Sequence, residues 1–200
     1  MKDRIREQVQ DIFTTATGQD FQQLADGLEE IWLEYDPKSI GGIKEEDREK
    51  QKITGAPVKV LRAIGAETGT LIHDDVEGHL PLAKLLWDEY GREGRIVSSV
   101  ALGKLEIKRP ALVIPEIKSM CRSCITWEDC DQLAMRALEP AVRRNPERWL
   151  PDMKSWLEDE NKWVQRAGVT VVGRLPMKHP SYTERCLEMI RPLLTVEDHD

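Results

Sequence analysis

ITWEDCDQLAMRALEPAVRRNPERWLPDMKSWLEDENKWVQRAGVTVVGRL, residues 125–175, is the stretch whose reading decides the fold. It holds four of the six tryptophans, an acidic cluster and a run of arginines. Apolar residues recur through it at helical spacing in three segments separated by short polar breaks. Thr126 is placed to cap the first segment, which runs from Trp127 to about Arg144, and Glu128 and Asp129 suit the positive end of its dipole. Asn145 and Pro146 break the chain and start a second helix, Glu147–Glu158. Asp159 or Asn161 precedes a third, Lys162–Leu175. Trp127 and Asp131 lie four residues apart, and Trp163 and Arg166 three apart, so on a helix each pair shares a face. An aromatic, a carboxylate and a guanidinium on adjacent helices make a site for a cationic or phosphate-bearing ligand.

The same spacing extends upstream. Residues 3–17 read as a helix with Ile5, Val9, Ile12 and Phe13 on one stripe, ended by Gly18. Asp20 is positioned to cap a second helix, Phe21–Tyr35, which stops before Pro37. Residues 36–56 form a charged connection, helical from Glu45 to Lys52. Pro57 opens a helix towards Thr70, Asp75 caps Val76–Tyr90, and Glu93–Leu105 follows almost at once. Pro110 opens a segment carrying Leu112, Ile114, Ile117 and Met120, whose first turns Pro115 should disturb. Pro180 and Ser181 introduce a last helix, Tyr182–Leu194. Nothing alternates with period two, so no sheet is expected. LWDEYGREGRIVSSVALGKL (86–105) and SWLEDENKWVQRAGVTVVGRL (155–175) align 70 residues apart, with helix 127–143 about halfway between. A period near 35 made of two helices predicts an all-α chain, an α-solenoid forming one domain over residues 1–200. The last six residues, TVEDHD, read as a turn and cap for a helix that does not follow, so the C-terminal repeat is expected to be incomplete.

Composition narrows the function. At 40% hydrophobic and 32% charged residues the chain has the make-up of a soluble helical protein. No apolar run has the length of a membrane span, and the N-terminus is too charged for a signal peptide, which places the protein in the cytoplasm, away from membranes. The net charge of −7 opposes nucleic-acid binding, but it is unevenly spread. Residues 1–91 carry 11 basic and 19 acidic side chains, and residues 92–191 carry 18 basic and 14 acidic. The basic part holds the tryptophan-rich stretch, and local potential governs phosphate binding more than the total does. Cys121 and Cys124 form a CxxC, followed by Cys130 and, far downstream, Cys186. Without tight knuckle turns beside them, reduced cysteines packed in the core are expected rather than a metal site. The four histidines show no metal spacing.

The phrases GAPVKVLR, LAKLLWDEYGREGRIVSSVALG, TWEDCD and KWVQRAGVTVVGRL, in this order and spacing, resemble the AlkD-like DNA alkylation repair family. The resemblance implies a right-handed α-solenoid of HEAT-like helix pairs. It implies a DNA glycosylase that excises cationic N3- and N7-alkylated purines, such as 3-methyladenine, from duplex DNA without a cofactor or metal. A monomer is the expected state. Matched residue by residue, Trp127 falls on the family's aromatic, Asp131 on its catalytic carboxylate and Arg166 on the arginine that holds the DNA backbone. Trp163 belongs to the same motif as Arg166. Arg143, Arg144, Arg148 and Lys178 are candidate DNA contacts. Three features depart from the family pattern: Gln165 stands where a first arginine is usual, a further aromatic wall belongs to a later repeat, and the overall charge is acidic where DNA-binding members tend to be basic. The alternative is a non-catalytic helical-repeat scaffold that binds a protein or nucleic acid.

Overall fold

The structure, a computed structural model, describes residues 1–16, 20–35 and 45–195. Every regular element among them is helical, and none is long and apolar enough to cross a membrane. The chain packs as two compact units, Met1–Val113 and Ile114–Asp200. Within each, helices stack as antiparallel-connected pairs in two layers, the arrangement of a HEAT-like α-solenoid.

The first unit contains α1 (Lys2–Thr15), α2 (Phe21–Leu33), α3 (Glu45–Lys50), α4 (Val58–Ile72), α5 (Val76–Glu89) and α6 (Gly91–Lys108). Helices α1, α4 and α6 lie side by side in one layer, while α2 and α5 form the other, with α2 packed on α1 and α5 on α6. The apolar stripes explain this. Leu24, Ala25, Leu28, Ile31 and Trp32 of α2 are buried, and Trp32 meets Tyr90 edge to face. The expected caps form: Asp20 accepts from Gln23 N at 3.0 Å and Asp75 from Gly78 N at 3.1 Å. Helices α4 and α6 approach closely because Gly65 and Gly69 face α6. A Cβ at Gly65 would stand 2.5 Å from the Val97 carbonyl oxygen. Gly91, at φ +60°, makes the turn that opens α6 directly after α5. Two residues later Glu93, fully buried, accepts from Gly55 N at 3.0 Å and Thr54 N at 3.3 Å, fixing the segment before α4 against the start of α6.

The chain enters the second unit within α7 (Pro110–Arg122). There follow α8 (Trp127–Leu133), a π-helical turn (Ala134–Leu138), α9 (Glu139–Arg144), α10 (Pro146–Trp149), α11 (Lys154–Leu157), α12 (Lys162–Arg174) and α13 (Thr183–Ile190). Helix α12 is central, packing on α8, the π turn, α9, α11 and α13. Val164, Ala167, Val171 and Val172 of α12 and Leu133, Ala137, Leu138 and Val142 opposite are buried. Asp159 organises the approach to α12. It accepts from Arg122 Nη1 and Nη2 at 2.9 and 2.7 Å, from Asn161 N at 3.0 Å, and pairs with Lys118 at 3.1 Å. The Arg122 fork is the largest of the influences that pull its carboxyl down to about 2. Asn161 then caps α12 through Trp163 N and Val164 N.

Several boundaries differ from the sequence reading, each at a proline. The helix expected from Trp127 to Arg144 contains a π turn immediately before Pro140, whose ring would clash with the Arg136 carbonyl in a regular α-helix. Pro151 divides the helix expected over Glu147–Glu158 into α10, a 3₁₀ turn and α11. The last expected helix is regular only over α13, with 3₁₀ turns at Pro180–Tyr182 and Arg191–Thr195. Pro115, in contrast, is accommodated inside α7. Helices α6, α8 and α12 begin at Gly91, Trp127 and Lys162, spacings of 36 and 35 residues, which is the expected repeat. The readings of Gly18, of residues 36–44 of the connection and of the final turn fall outside the described residues, while the helix expected over Glu45–Lys52 is present as α3, Glu45–Lys50.

Two stability predictions follow from this packing. Gly65→Ala should cost about 1–3 kcal/mol by forcing α4 and α6 apart, while Gly173→Ala, with nothing near its Cβ, should be neutral or stabilising by up to ~1 kcal/mol. Urea unfolding of the two variants tests this. Asp159→Asn should lose about 1–3 kcal/mol at neutral pH. Because the folded carboxyl titrates near 2, below an unfolded value of about 3.9, its contribution is complete above pH ~4 and disappears as pH falls towards 2. The stability gap between wild type and variant, measured by urea unfolding across that range, should narrow on acidification.

Candidate functional site

Every candidate site residue named from the sequence lies in the second unit. The start of α8 is set by a reciprocal capping box. Thr126 Oγ1 accepts from Asp129 N at 3.3 Å, and the Asp129 carboxylate accepts from Thr126 N and Ile125 N at 3.0 and 3.1 Å. Asp129 is therefore a structural acid as well as a dipole complement. With the helix phase fixed, Trp127 stands at its first position and Asp131 one turn on.

Trp127 is 62% exposed. Trp32, Trp87 and Trp156 are buried, and Trp149 and Trp163 are half-buried, so Trp127 alone of the six tryptophans is displayed to solvent. Burying so large an apolar side chain would be worth several kcal/mol, a stabilisation that Trp127 does not supply to the core.

Asp131 meets Arg166 fork to fork. Arg166 Nε donates to Asp131 Oδ1 at 3.0 Å and Nη2 to Oδ2 at 3.1 Å. The side chains remain 19% and 37% exposed, so the pair lies at the edge of the α8–α12 junction within reach of solvent. A carboxylate offers about four acceptor directions; the guanidinium takes two and leaves the outer ones for water or a ligand. The Asp131 hydrogen bonds push the Arg166 pKa upward, keeping the guanidinium charged. Behind the pair, Cys130 Sγ lies 3.2 Å from the Trp163 carbonyl oxygen, a second polar link between α8 and α12. Trp163 opens α12 one turn before Arg166, half-buried with Lys162 Nζ 5.0 Å from its ring centroid. Gln165, which stands where the resemblance would place the first of two arginines, donates to the Leu157 carbonyl at 2.9 Å and serves the α11–α12 turn.

The remaining candidates stand further along. Arg143 pairs with Glu139 one turn back at 2.9 Å, and Arg148 stacks on Trp149 at 4.3 Å while reaching Asp152 at 3.2 Å. Arg144 and Lys178 are exposed. The sequence reading overlooked a second group of cations. In the first unit Lys2, Arg6, Lys59, Arg62 and Lys104 line one groove of about 400 Å³, with Glu67 as its acid, bridged by Arg6 at 3.6 Å. Arg62 Nε is buried there without a hydrogen-bond partner. These residues come from α1, α4 and α6, so the acidic balance of residues 1–91 concealed them. All four cysteines are reduced and buried, and no group of His, Cys, Asp or Glu among the described residues is arranged to hold a metal ion.

No curated protein and no solved structure matches the chain. The sequence model of one family does, over residues 12–199, and its description is DNA alkylation repair enzyme. That match covers nearly the whole chain, so the chain belongs to the DNA alkylation repair enzyme family.

Proposed function

We propose that this chain is a glycosylase of alkylation repair, acting on cationic N3- or N7-alkylated purines in duplex DNA. The observation that carries the reading is a solvent-displayed indole, Trp127, with a largely buried but still solvent-reachable carboxylate, Asp131, one turn along the same helix. An alkylated purine already carries positive charge and leaves without a strong general acid. As its bond to the sugar breaks, the deoxyribose becomes oxocarbenium-like. Asp131 stabilises that developing charge through its outer oxygen lone pairs and orients a water molecule, the role carboxylates have in glycoside hydrolysis. Arg166 fixes the carboxylate plane and presents its exposed edge to a backbone phosphate. The Trp127 face adds a cation–π contribution of about 0.5–2 kcal/mol. Arg143, Arg144, Arg148 and Lys178 supply phosphate contacts.

One observation favours a second reading, a non-catalytic binder. Each Asp131 oxygen already accepts a bond from Arg166, which reduces the charge available to a sugar cation. Base release separates the two. Wild type should liberate methylated purines from alkylated duplex DNA, and Asp131→Asn should slow release by about a hundredfold or more while still binding duplex. Glu184→Gln, an exposed change on α13, should be indistinguishable from wild type. Salt-dependent duplex binding with no release by wild type would instead establish the binder.

A further inference from the structure

The proposed chemistry uses nothing from the first unit, yet a concentration of uncompensated positive charge lies there. Helix α4 is flanked by α1 and α6 in one layer. Lys59, Arg62, Ala63 and Ala66 recur at helical spacing on the face of α4 that lines the groove. Lys2 and Arg6, one turn apart on α1, rise on one side, and Lys104 of α6 on the other. Ala63 and Ala66 keep the groove deep where longer side chains would fill it. Lys104 is held by its stem. A Cβ on Gly69 would stand 2.8 Å from both its Cβ and its Cγ, so glycine lets the aliphatic chain lie against α4 while the ammonium stays in solvent. The protein does not balance this charge. Glu67 is the groove's one acid, and it is taken by Arg6 at 3.6 Å and by Gln10 Nε2 at 3.0 Å. Among the described residues, Lys2, Lys59, Arg62 and Lys104 meet no carboxylate there. Arg62 Nε is fully enclosed and donates to none of them. A buried guanidinium N–H without an acceptor is costly, and an anion reaching between the helices would satisfy it.

We infer that this groove binds a short phosphate chain, the di- or triphosphate of a small molecule. The chain is seated endwise, so that its terminal phosphoryl group reaches Arg62 while Lys2, Lys59 and Lys104 close around the remaining oxygens. A terminal phosphoryl group carries about −1.5 to −2 charge and three strong acceptor oxygens, which match the planar fork of a guanidinium. A phosphodiester within a nucleic acid is flanked by sugars on both sides and cannot descend onto a donor recessed between helices. Five cationic side chains around about 400 Å³ suit several negative charges gathered in one compact group, rather than charges strung along a duplex. No bond is made or broken in this binding. The site lies within one unit and is independent of whether Asp131 assists cleavage of a glycosidic bond.

The test is isothermal titration calorimetry of the full chain at low ionic strength, without divalent cations, against orthophosphate, tripolyphosphate and ATP. Tripolyphosphate should bind saturably, at least about tenfold more tightly than orthophosphate, and more weakly as salt is added. Arg62→Gln should weaken that binding at least about tenfold, and Lys104→Gln several-fold. Lys154→Gln, which removes an exposed cation of the second unit, should leave it unchanged. ATP bound as tightly as tripolyphosphate supports recognition of the phosphate chain alone, and tighter binding supports a nucleotide as its source. Tripolyphosphate bound no better than orthophosphate, or equal losses in Lys104→Gln and Lys154→Gln, would overturn the proposal. So would a wild type that ignores tripolyphosphate but loses affinity for unmodified duplex on Lys104→Gln, since the groove would then belong to a nucleic-acid surface. Lys104 is exposed, so its result stands even if Arg62→Gln fails to fold.

Discussion

A guanidinium–carboxylate fork is directional in a way that apolar packing is not. For Arg166 to meet both oxygens of Asp131, α8 and α12 must each be held in one rotation about its axis and one position along it. The local chemistry of the second unit does this. The Thr126–Asp129 capping box fixes the first residue of α8, and Asn161 fixes the first turn of α12. Asp159, gripped by Arg122 and Lys118 of α7, fixes where Asn161 begins. Alanine, glycine and valine along α12 then let the backbones approach, while the polar seam at Cys130 and Asp131 selects the register. The exposed Trp127 is carried by that arrangement without contributing to it.

The architecture was legible in the sequence because it rests on short-range rules. Aspartate or threonine before an apolar-periodic run named the caps at Asp20, Asp75 and Thr126 and left Asp159 or Asn161 for α12, where Asn161 is the cap, and the alignment of two phrases 70 residues apart gave the repeat. The misses were long-range or steric. Pro140 interrupted the regular helix expected through to Arg144 with a π turn, because the clash with the Arg136 carbonyl was absorbed by widening the helix. Pro151 cut a helix that its apolar spacing had joined. Nothing local distinguishes Glu93, buried under two backbone amides, from the many solvated glutamates.

The site shows the same division. Trp127, Asp131, Trp163 and Arg166 were named through spacing and resemblance, and Asp131 does meet Arg166 across 35 residues of chain. Whether a tryptophan is displayed or buried depends on what packs over it, so the exposure of Trp127 was visible only in three dimensions. The cation-lined groove of the first unit escaped because it draws only one or two residues from each of three helices, and summing charge along the chain erases such a cluster.

The central claim is that Asp131 stabilises a sugar cation only while Arg166 holds its plane, so that the two act as a unit. A double-mutant cycle on single-turnover base release from alkylated duplex DNA measures this directly, using Asp131→Asn, Arg166→Met and the pair. The account predicts strong non-additivity, with the double variant no slower than Asp131→Asn alone and a coupling energy of about 1–3 kcal/mol. Rate losses that simply add would contradict it, because carboxylate and guanidinium would then be acting separately.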